Sequence, residues 1–509
     1  MCWICAVEKC SKYNGTSVRL STCLVKRKND FVCRIIFLIR FGVISFHLYS
    51  FIQLKNLLDA CGAALGFWSF GFAFAYGGTN EFTRDPQEEI EDGVTTFIGD
   101  GHFFLQGFEN YSIWLFQFAF AATSATIVAG SLAERSQMRA YLCYSFMLTG
   151  FVYPVVVHTF WSVEGFLSPF NPNPFLGIGA MDFAGAGVVH ITGGMTALIA
   201  VMILGPRKGR FTDERTGEPI ERPKRMKGHS MSLQVLGTFI LWFGWYGFNV
   251  GSTYTISSTN SATIASLAGV CTTLAGSAGC VTALCFSTFK TEKITGETTF
   301  ELVYALNGCL SGLVSITGAC GLVEPWAAVV IGFVSGFIYF YSSELLVKFR
   351  LDDAVDAIPV HLFNGLWGML CIGFFASPSR VEQVYGVEVS GLFYYDGASN
   401  DGSLLAVQFI GILFILGWVM VLMTPFFLIL SYVGWLRADP LEEIVGLDIS
   451  YHGRSAYNME WDRYEDGEAP AQEHKSHGGD TVGMSGTMGM SGDVVVSLDE
   501  EEIDDVWNE

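Results

Sequence analysis

Runs of membrane-crossing length constrain this chain more than any other feature, since about 20 consecutive apolar residues span the hydrocarbon core of a bilayer as a helix. They fall at roughly 54–78, 112–133, 138–161, 182–205, 231–252, 261–286, 299–320, 325–347, 355–376 and 404–433. An eleventh stretch, 31–53, is apolar but carries Arg34, Arg40 and His47. Within lipid every backbone group must find its partner inside its own segment. The expected fold is therefore an all-α polytopic membrane protein of ten to eleven transmembrane helices. Composition agrees: 51% of the residues are apolar and 15% charged, against about 25% charged in soluble domains. The lipid bilayer is the expected surrounding, with no nucleic-acid partner.

Basic residues set the orientation. The 206–230 loop holds Arg207, Lys208, Arg210, Arg215, Arg222, Lys224, Arg225 and Lys227, which predicts a cytoplasmic loop. Lys290 with Lys293, and Lys348 with Arg350, fall on the same side when spans alternate. Opposite them, loop 79–111 has Arg84 as its one Lys or Arg but many acidic residues, and loop 377–403 has Arg380. This places the carboxyl terminus in the cytoplasm. From Val433 onward the chain holds 19 acidic and 4 basic residues, which supply −15 of the net −20. Such a tail reads as solvated and disordered. Asn110-Tyr111-Ser112 is a glycosylation sequon on the outer side. Cysteines inside the apolar spans read as small packing residues. Cys2, Cys5 and Cys10 have zinc-like spacing but no second ligand pair, so neither a metal nor a cofactor is expected.

Ionisable residues inside a bilayer are expensive and mark ion or proton paths. Two histidines lie near the starts of apolar spans, each after an aspartate: Asp182-Phe-Ala-Gly-Ala-Gly-Val-Val-His190, and Asp352-Asp353-Ala-Val-Asp356-Ala-Ile-Pro-Val-His361. By alternation, one span starts at the outer face and the other at the inner face. The separation of five spans is odd, which inverts the second copy. Inverted-repeat transporters are built this way, with their sites at the midplane. Two inverted five-helix repeats plus a final helix are expected, with Asp356 matching Asp182. Gly332 with Gly336, Gly185 with Gly187, and Gly269, Gly276 and Gly279 suit close helix packing.

The block from Asp182 through His190-Ile-Thr-Gly-Gly, with Gly205-Pro-Arg-Lys-Gly-Arg-Phe211, resembles the signature of the Amt/Mep/Rh ammonium transporter family, in its eukaryotic Amt branch. Further blocks agree in order: Phe116-Gln117-Phe118-Ala119-Phe120-Ala121, then Gly130-Ser-Leu-Ala-Glu134-Arg135, then Gly150-Phe-Val-Tyr-Pro154 leading to His158-Thr-Phe-Trp161. Last comes Leu241-Trp-Phe-Gly-Trp245-Tyr-Gly-Phe248-Asn249-Val-Gly-Ser252. The resemblance covers about residues 54–457. Residues 1–53 depart from it, and Leu-Phe-Asn-Gly-Leu-Trp-Gly follows His361 where plant members carry a glycine-rich run.

The resemblance implies a plasma-membrane ammonium transporter, not an enzyme, that also takes methylammonium. Ammonium and potassium match in size and charge, so a plain hole does not separate them. Binding the cation outside, removing its proton and passing ammonia through a dry pore does, because potassium has no proton to give. The family implies Phe120 and Trp161 as the aromatic walls of the outer site, Ser252 as acceptor, Trp245 lining the vestibule, and Phe120 with Phe248 as the gate. His190 and His361 would line the pore. Asp182 would cap its helix, or stabilise bound ammonium by its charge. Residues 434–458 resemble the family's cytoplasmic regulatory segment, which docks between subunits of a homotrimer. Gly446 lies in it, and Ser450 falls where plant members carry a phosphorylatable threonine, so a kinase is an expected partner. Arg454-Ser455 replaces the usual Gly-Phe. The domains expected are 1–53 as an atypical amino terminus, 54–433 as the transmembrane domain, 434–458 as the regulatory segment and 459–509 as a disordered acidic tail. The alternative function is an ammonium sensor, or transceptor, with little net transport.

Overall fold

A computed structural model describes residues 51–78, 95–213, 216–394, 401–447 and 450, apart from Arg222, Arg225, Lys227 and His229. The expected span at 31–53 is outside this range but for its last three residues. Residues 79–94 of the acidic 79–111 loop, the Arg454-Ser455 pair and the 459–509 tail also lie outside the described residues.

The expected helices form close to their predicted limits. They are α1 (Leu54–Tyr76), α2 (Tyr111–Ser131), α3 (Met138–Trp161), α4 (Ala186–Leu204), α5 (Met231–Asn249), α6 (Thr259–Thr295), α7 (Leu302–Thr317), α8 (Pro325–Lys348) and α9 (Ile358–Phe375). A short helix not anticipated from the sequence, α10 (Pro378–Tyr385), precedes α11 (Ser403–Tyr432), and α12 (Pro440–Val445) follows. Among the described residues there are no strands, only three isolated bridges. Eight of the helices are long and apolar enough to cross a membrane. The protein is a multi-pass membrane protein.

Small residues let α6, α7 and α8 close on one another. A Cβ on Gly279 would stand 2.4 Å from the Gly308 carbonyl oxygen, and one on Gly332 or Gly312 would stand 2.2 Å from that of Ala275. Both are impossible distances, so backbone meets backbone here. The reading of Gly279, Gly332 and Gly336 as packing positions holds; Gly269 has ordinary room.

At the basic end, loops from both halves knot together. Asp352, 2% exposed, accepts from the Arg207 side chain at 2.8 and 2.9 Å and from the Arg207 backbone N–H at 2.8 Å. Arg207 also pairs with Glu134 at 2.6 Å. Fully buried Arg135 donates to the carbonyls of Gly205 and Asp352. The chain after α11 joins the same knot. Ala438 N–H donates to the Arg135 carbonyl, and the Arg437 guanidinium reaches the carbonyls of Leu204 and Pro206 and the carboxylate of Glu443. Burial opposes the charge on Asp352, but the hydrogen bonds and charge of Arg207, with the charge of Arg135, outweigh it and hold its pKa at about 2.

Candidate functional site

The site is built where α4 and α9 cross. Each opens on a π-helical turn, Ala186–Ile191 and Ile358–Phe363, and each turn carries one of the two histidines. Such turns interrupt regular helices mainly at functional positions. In the first, the His190 N–H reaches back five residues to the Gly185 carbonyl at 3.2 Å. Gly185 sits at φ 101°, a conformation that glycine adopts without a Cβ penalty.

Asp182 fixes the start of α4. One carboxylate oxygen accepts from the N–H groups of Gly185 and Ala186 at 2.9 and 2.8 Å, and the other from Gly187 and Val188 at 2.8 and 2.9 Å. These are the orphan donors of a helix start, all satisfied by one side chain. At an offset of 171 residues, the separation of the two histidines, stands Asp353. Its carboxylate accepts from Ile358 N–H at 2.6 Å and Val355 N–H at 3.5 Å. Asp353, rather than the expected Asp356, is therefore the counterpart of Asp182. Asp356 holds the place of Gly185, with positive φ of 58°, and its carboxylate accepts from the Tyr339 hydroxyl at 2.8 Å. The sequence carried the signal: Asp182 to His190 and Asp353 to His361 have the same spacing.

Four residues past each histidine stands a glycine. A Cβ on Gly194 would lie 2.5 Å from the Leu362 nitrogen, and one on Gly365 would lie 2.8 Å from the Ala186 carbonyl oxygen. The two helices thus cross at backbone contact and bring the rings together. His190 Nδ1 and His361 Nδ1 are 3.2 Å apart, with ring centroids at 5.2 Å. Of two neutral imidazoles so placed, one donates and one accepts. The first then has a bare Nε2 and the second an Nε2–H, one acceptor and one donor along the line. Asn364, in the run that departs from plant members, donates to the Pro359 carbonyl at 2.9 Å and so braces the second turn.

A ladder of rings leads from this pair to the far end of the bundle. His190 stacks on Trp245 at 5.3 Å, Trp245 meets Phe248 at 6.2 Å, and Phe248 meets Phe120 edge-on at 4.6 Å. Phe120 in turn contacts Trp161 at 5.6 Å and Phe116 at 4.9 Å. Beyond Phe120 opens a cavity of about 450 Å³ whose walls include Phe116, Gln117, Phe120, Trp161, Ser252 and Tyr254. Phe120, Trp161 and Ser252 thus meet in one cavity as expected. Trp245 does not line it: its ring lies on the histidine side of Phe248, and its indole N–H is held by Thr317 Oγ1 at 2.8 Å. Asp182 borders the cavity, but its carboxylate is taken up by the helix start. Ser252 donates its hydroxyl proton to the Phe248 carbonyl at 2.8 Å, which leaves oxygen lone pairs for a guest. Sequence reasoning left out Gln117, Tyr254 and the α10 residue Tyr385, all in the cavity wall. Gln117 lay inside a quoted block; nothing local in the sequence marked the other two.

Ser450 and Gly446 lie at the opposite, basic end. The Ser450 hydroxyl is exposed and donates to the Gly446 carbonyl at 3.1 Å. Glu443, just before them, accepts from the Lys208 N–H at 2.7 Å, so this segment packs on the loop after α4 of its own chain.

The profile of the Ammonium Transporter Family matches residues 41–457. Ammonium transporter 1 member 1 of Oryza sativa is 42% identical, covering 80% of this chain and 78% of its own. Ammonium transporter 3 of Dictyostelium discoideum is 38% identical, covering 80% of this chain and 86% of its own. Among solved structures, one described as a sensor Amt protein superposes with a TM-score of 0.66 at 30% identity, covering 83% of this chain and 96% of its own. Candida albicans Mep2, at 24% identity, shares the fold with a TM-score of 0.65, covering 81% of this chain and 85% of its own.

Proposed function

The chain belongs to the ammonium transporter family, and from that membership we propose that it recruits ammonium at the Phe120–Trp161–Ser252 cavity, strips one proton and passes ammonia along the ring ladder to His190 and His361. The observation that carries the reading is the continuity of that ladder: an aromatic cavity with oxygen acceptors, a closed ring contact, then two hydrogen-bonded imidazoles. Aromatic faces attract a cation by about 0.5–2 kcal/mol each, and Ser252 adds a hydroxyl acceptor. Moving the intact cation through hydrocarbon is far costlier. Phe120 and Phe248 act as the gate that excludes water. The proton stays outside or crosses separately. Asp182 acts first as a cap and adds its negative charge beneath the bound cation.

On this reading the protein works as a homotrimer in the plasma membrane with its carboxyl terminus in the cytoplasm. The 434–458 segment couples the subunits, and a kinase acting on Ser450 closes them. A sensing role with little net transport is the second reading, favoured by the likeness to the sensor Amt structure. One experiment separates them: expression in cells lacking ammonium uptake, with surface abundance measured. Growth on low ammonium and entry of toxic methylammonium are expected; a surface-resident protein giving neither refutes transport.

A further inference from the structure

We propose that His158, Thr96 and Glu164 together form a proton-binding site at the end of the bundle opposite the basic loops, and that the bound proton fastens the loop before α2 to the end of α3. Its effect on uptake rests on the reading of the Trp161 cavity as the recruitment site; the proton site itself does not.

His158 is fully buried in the last turn of α3. Its Nδ1 lies 2.9 Å from the Ala75 carbonyl oxygen, and its Nε2 lies 2.8 Å from the Thr96 hydroxyl. The same hydroxyl lies 3.1 Å from a Glu164 carboxylate oxygen. The chain after α3 folds back tightly to allow this: a Cβ on Gly165 would stand 2.0 Å from the His158 carbonyl oxygen. Alongside the side chains, the Thr96 N–H donates to the Glu164 carbonyl at 2.9 Å.

This row needs one hydrogen more than a neutral histidine, a threonine and a carboxylate carry. A carbonyl only accepts, so Nδ1 must hold the ring hydrogen. The two contacts of the Thr96 oxygen then need a hydrogen each, and threonine has one to give. The other is an added proton. It sits on Nε2, as an imidazolium beside a carboxylate, or on Glu164, as a carboxylic acid that donates to Thr96 while Thr96 donates to a neutral ring. The two forms differ only by shifting hydrogens along the row, so the proton belongs to the three residues together. Without it, two acceptors face each other at one of the contacts. A buried acceptor left without a donor is costly, so that contact opens.

Glu164 is partly exposed and exchanges the proton with water. Burial pushes its carboxyl above the ordinary range, against the hydrogen bond from Thr96, and the charge of Asp100 adds to the rise. Asp100, in the loop just after Thr96, also acts on His158, and its negative charge favours the protonated row. Toward α1 the ring meets the neutral Ala75 carbonyl. None of the three residues borders the cavity. Trp161, which does, lies midway between His158 and Glu164, with its indole N–H held by the Asp182 carbonyl at 2.7 Å. The proton thus steadies a cavity wall without touching a guest.

The test is hydrogen–deuterium exchange of the purified full chain in detergent, read at the amides of residues 95–101 and corrected for the intrinsic effect of pH. Protection should fall about tenfold between about pH 5 and pH 8, where histidine ordinarily changes charge, as one hydrogen bond is lost. Glu164→Gln puts an N–H in the place of the added proton, so protection should stay high at every pH. Thr96→Val removes the bridge, so protection should stay low at every pH. Constant protection in the wild type overturns the proposal, as does a Glu164→Gln variant that follows the wild-type fall. Should Glu164→Gln not purify, Thr96→Val decides: a variant that keeps the wild-type fall overturns the proposal. Uptake of labelled ammonium reads the consequence, with KM expected to rise about threefold over the same range in the wild type and to stay flat in Glu164→Gln. The expected exchange with a KM that ignores pH sinks the link to recruitment and supports the proton site, whereas constant exchange sinks the site.

Discussion

Asp182 shows how one residue can look like a substrate ligand and serve the backbone. Both carboxylate oxygens are occupied by four N–H groups at 2.8–2.9 Å. Asp182→Asn keeps the size but turns an NH2 toward two of those donors, leaving them buried and unpaired. We expect a loss of roughly 1–3 kcal/mol or more, read as a lower melting temperature in detergent; unchanged stability with reduced uptake would instead assign the residue to electrostatics. At this scale the sequence was legible where side chains act through long matching blocks. Phe120, Trp161 and Ser252 do share a cavity, and His190 does meet His361. It was less legible where position depends on rotation. Trp245 lies in the same block as Phe248, yet three residues along the helix turn its ring to the histidine side. Asp356 is not the counterpart of Asp182; the equal spacing of Asp182 to His190 and Asp353 to His361 marks Asp353 instead.

At the level of helices, apolar length predicts ten spans; among the described residues a helix forms at each of the ten positions, and eight of them are long and apolar enough to cross a membrane. Length does not predict the π turns that open α4 and α9, which cross at backbone contact at Gly194 and Gly365, or α10, which is too short and polar to register as a span. The loops that tie these helices at the basic end give a pH prediction. Asp352 is held at about 2, below the ordinary aspartate value of about 3.9. A carboxylate whose pKa falls on folding contributes stability that is fully present above the unfolded value and lost as pH drops through the folded one. The knot should therefore stay intact from neutral pH down to about pH 4 and give way between about 4 and 2. Melting curves in detergent across that range should show a steep fall, and Asp352→Asn should flatten it. That variant should also be less stable at neutral pH by about 3–5 kcal/mol, since it strands the charges of Arg207 and Arg135. A wild-type curve in Asp352→Asn would contradict the account.

Seen as a whole, the molecule places its ring ladder at one end and its loop knot at the other, joined by α4. That helix carries His190 in its opening turn and ends at Leu204, whose carbonyl is held by Arg437, itself paired with Glu443. A charge near Glu443 can therefore act on the element that carries His190. Ser450→Asp is expected to lower uptake without lowering surface abundance, through repulsion from Glu442 and Glu443. On the proposed homotrimer, co-expression of variant and wild-type chains should depress the wild-type partners, and a strictly proportional loss would show independent pores. The central claim is that ammonia passes between two imidazoles in a pore that rejects potassium. Its most direct test is flux in proteoliposomes holding either the wild-type protein or the His190→Ala, His361→Ala double variant, with ammonium and potassium measured in parallel. The account predicts ammonium flux with potassium excluded for the wild type, and for the double variant a loss of ammonium flux or an opening to potassium. Wild-type ammonium flux together with wild-type exclusion of potassium in the double variant would contradict it.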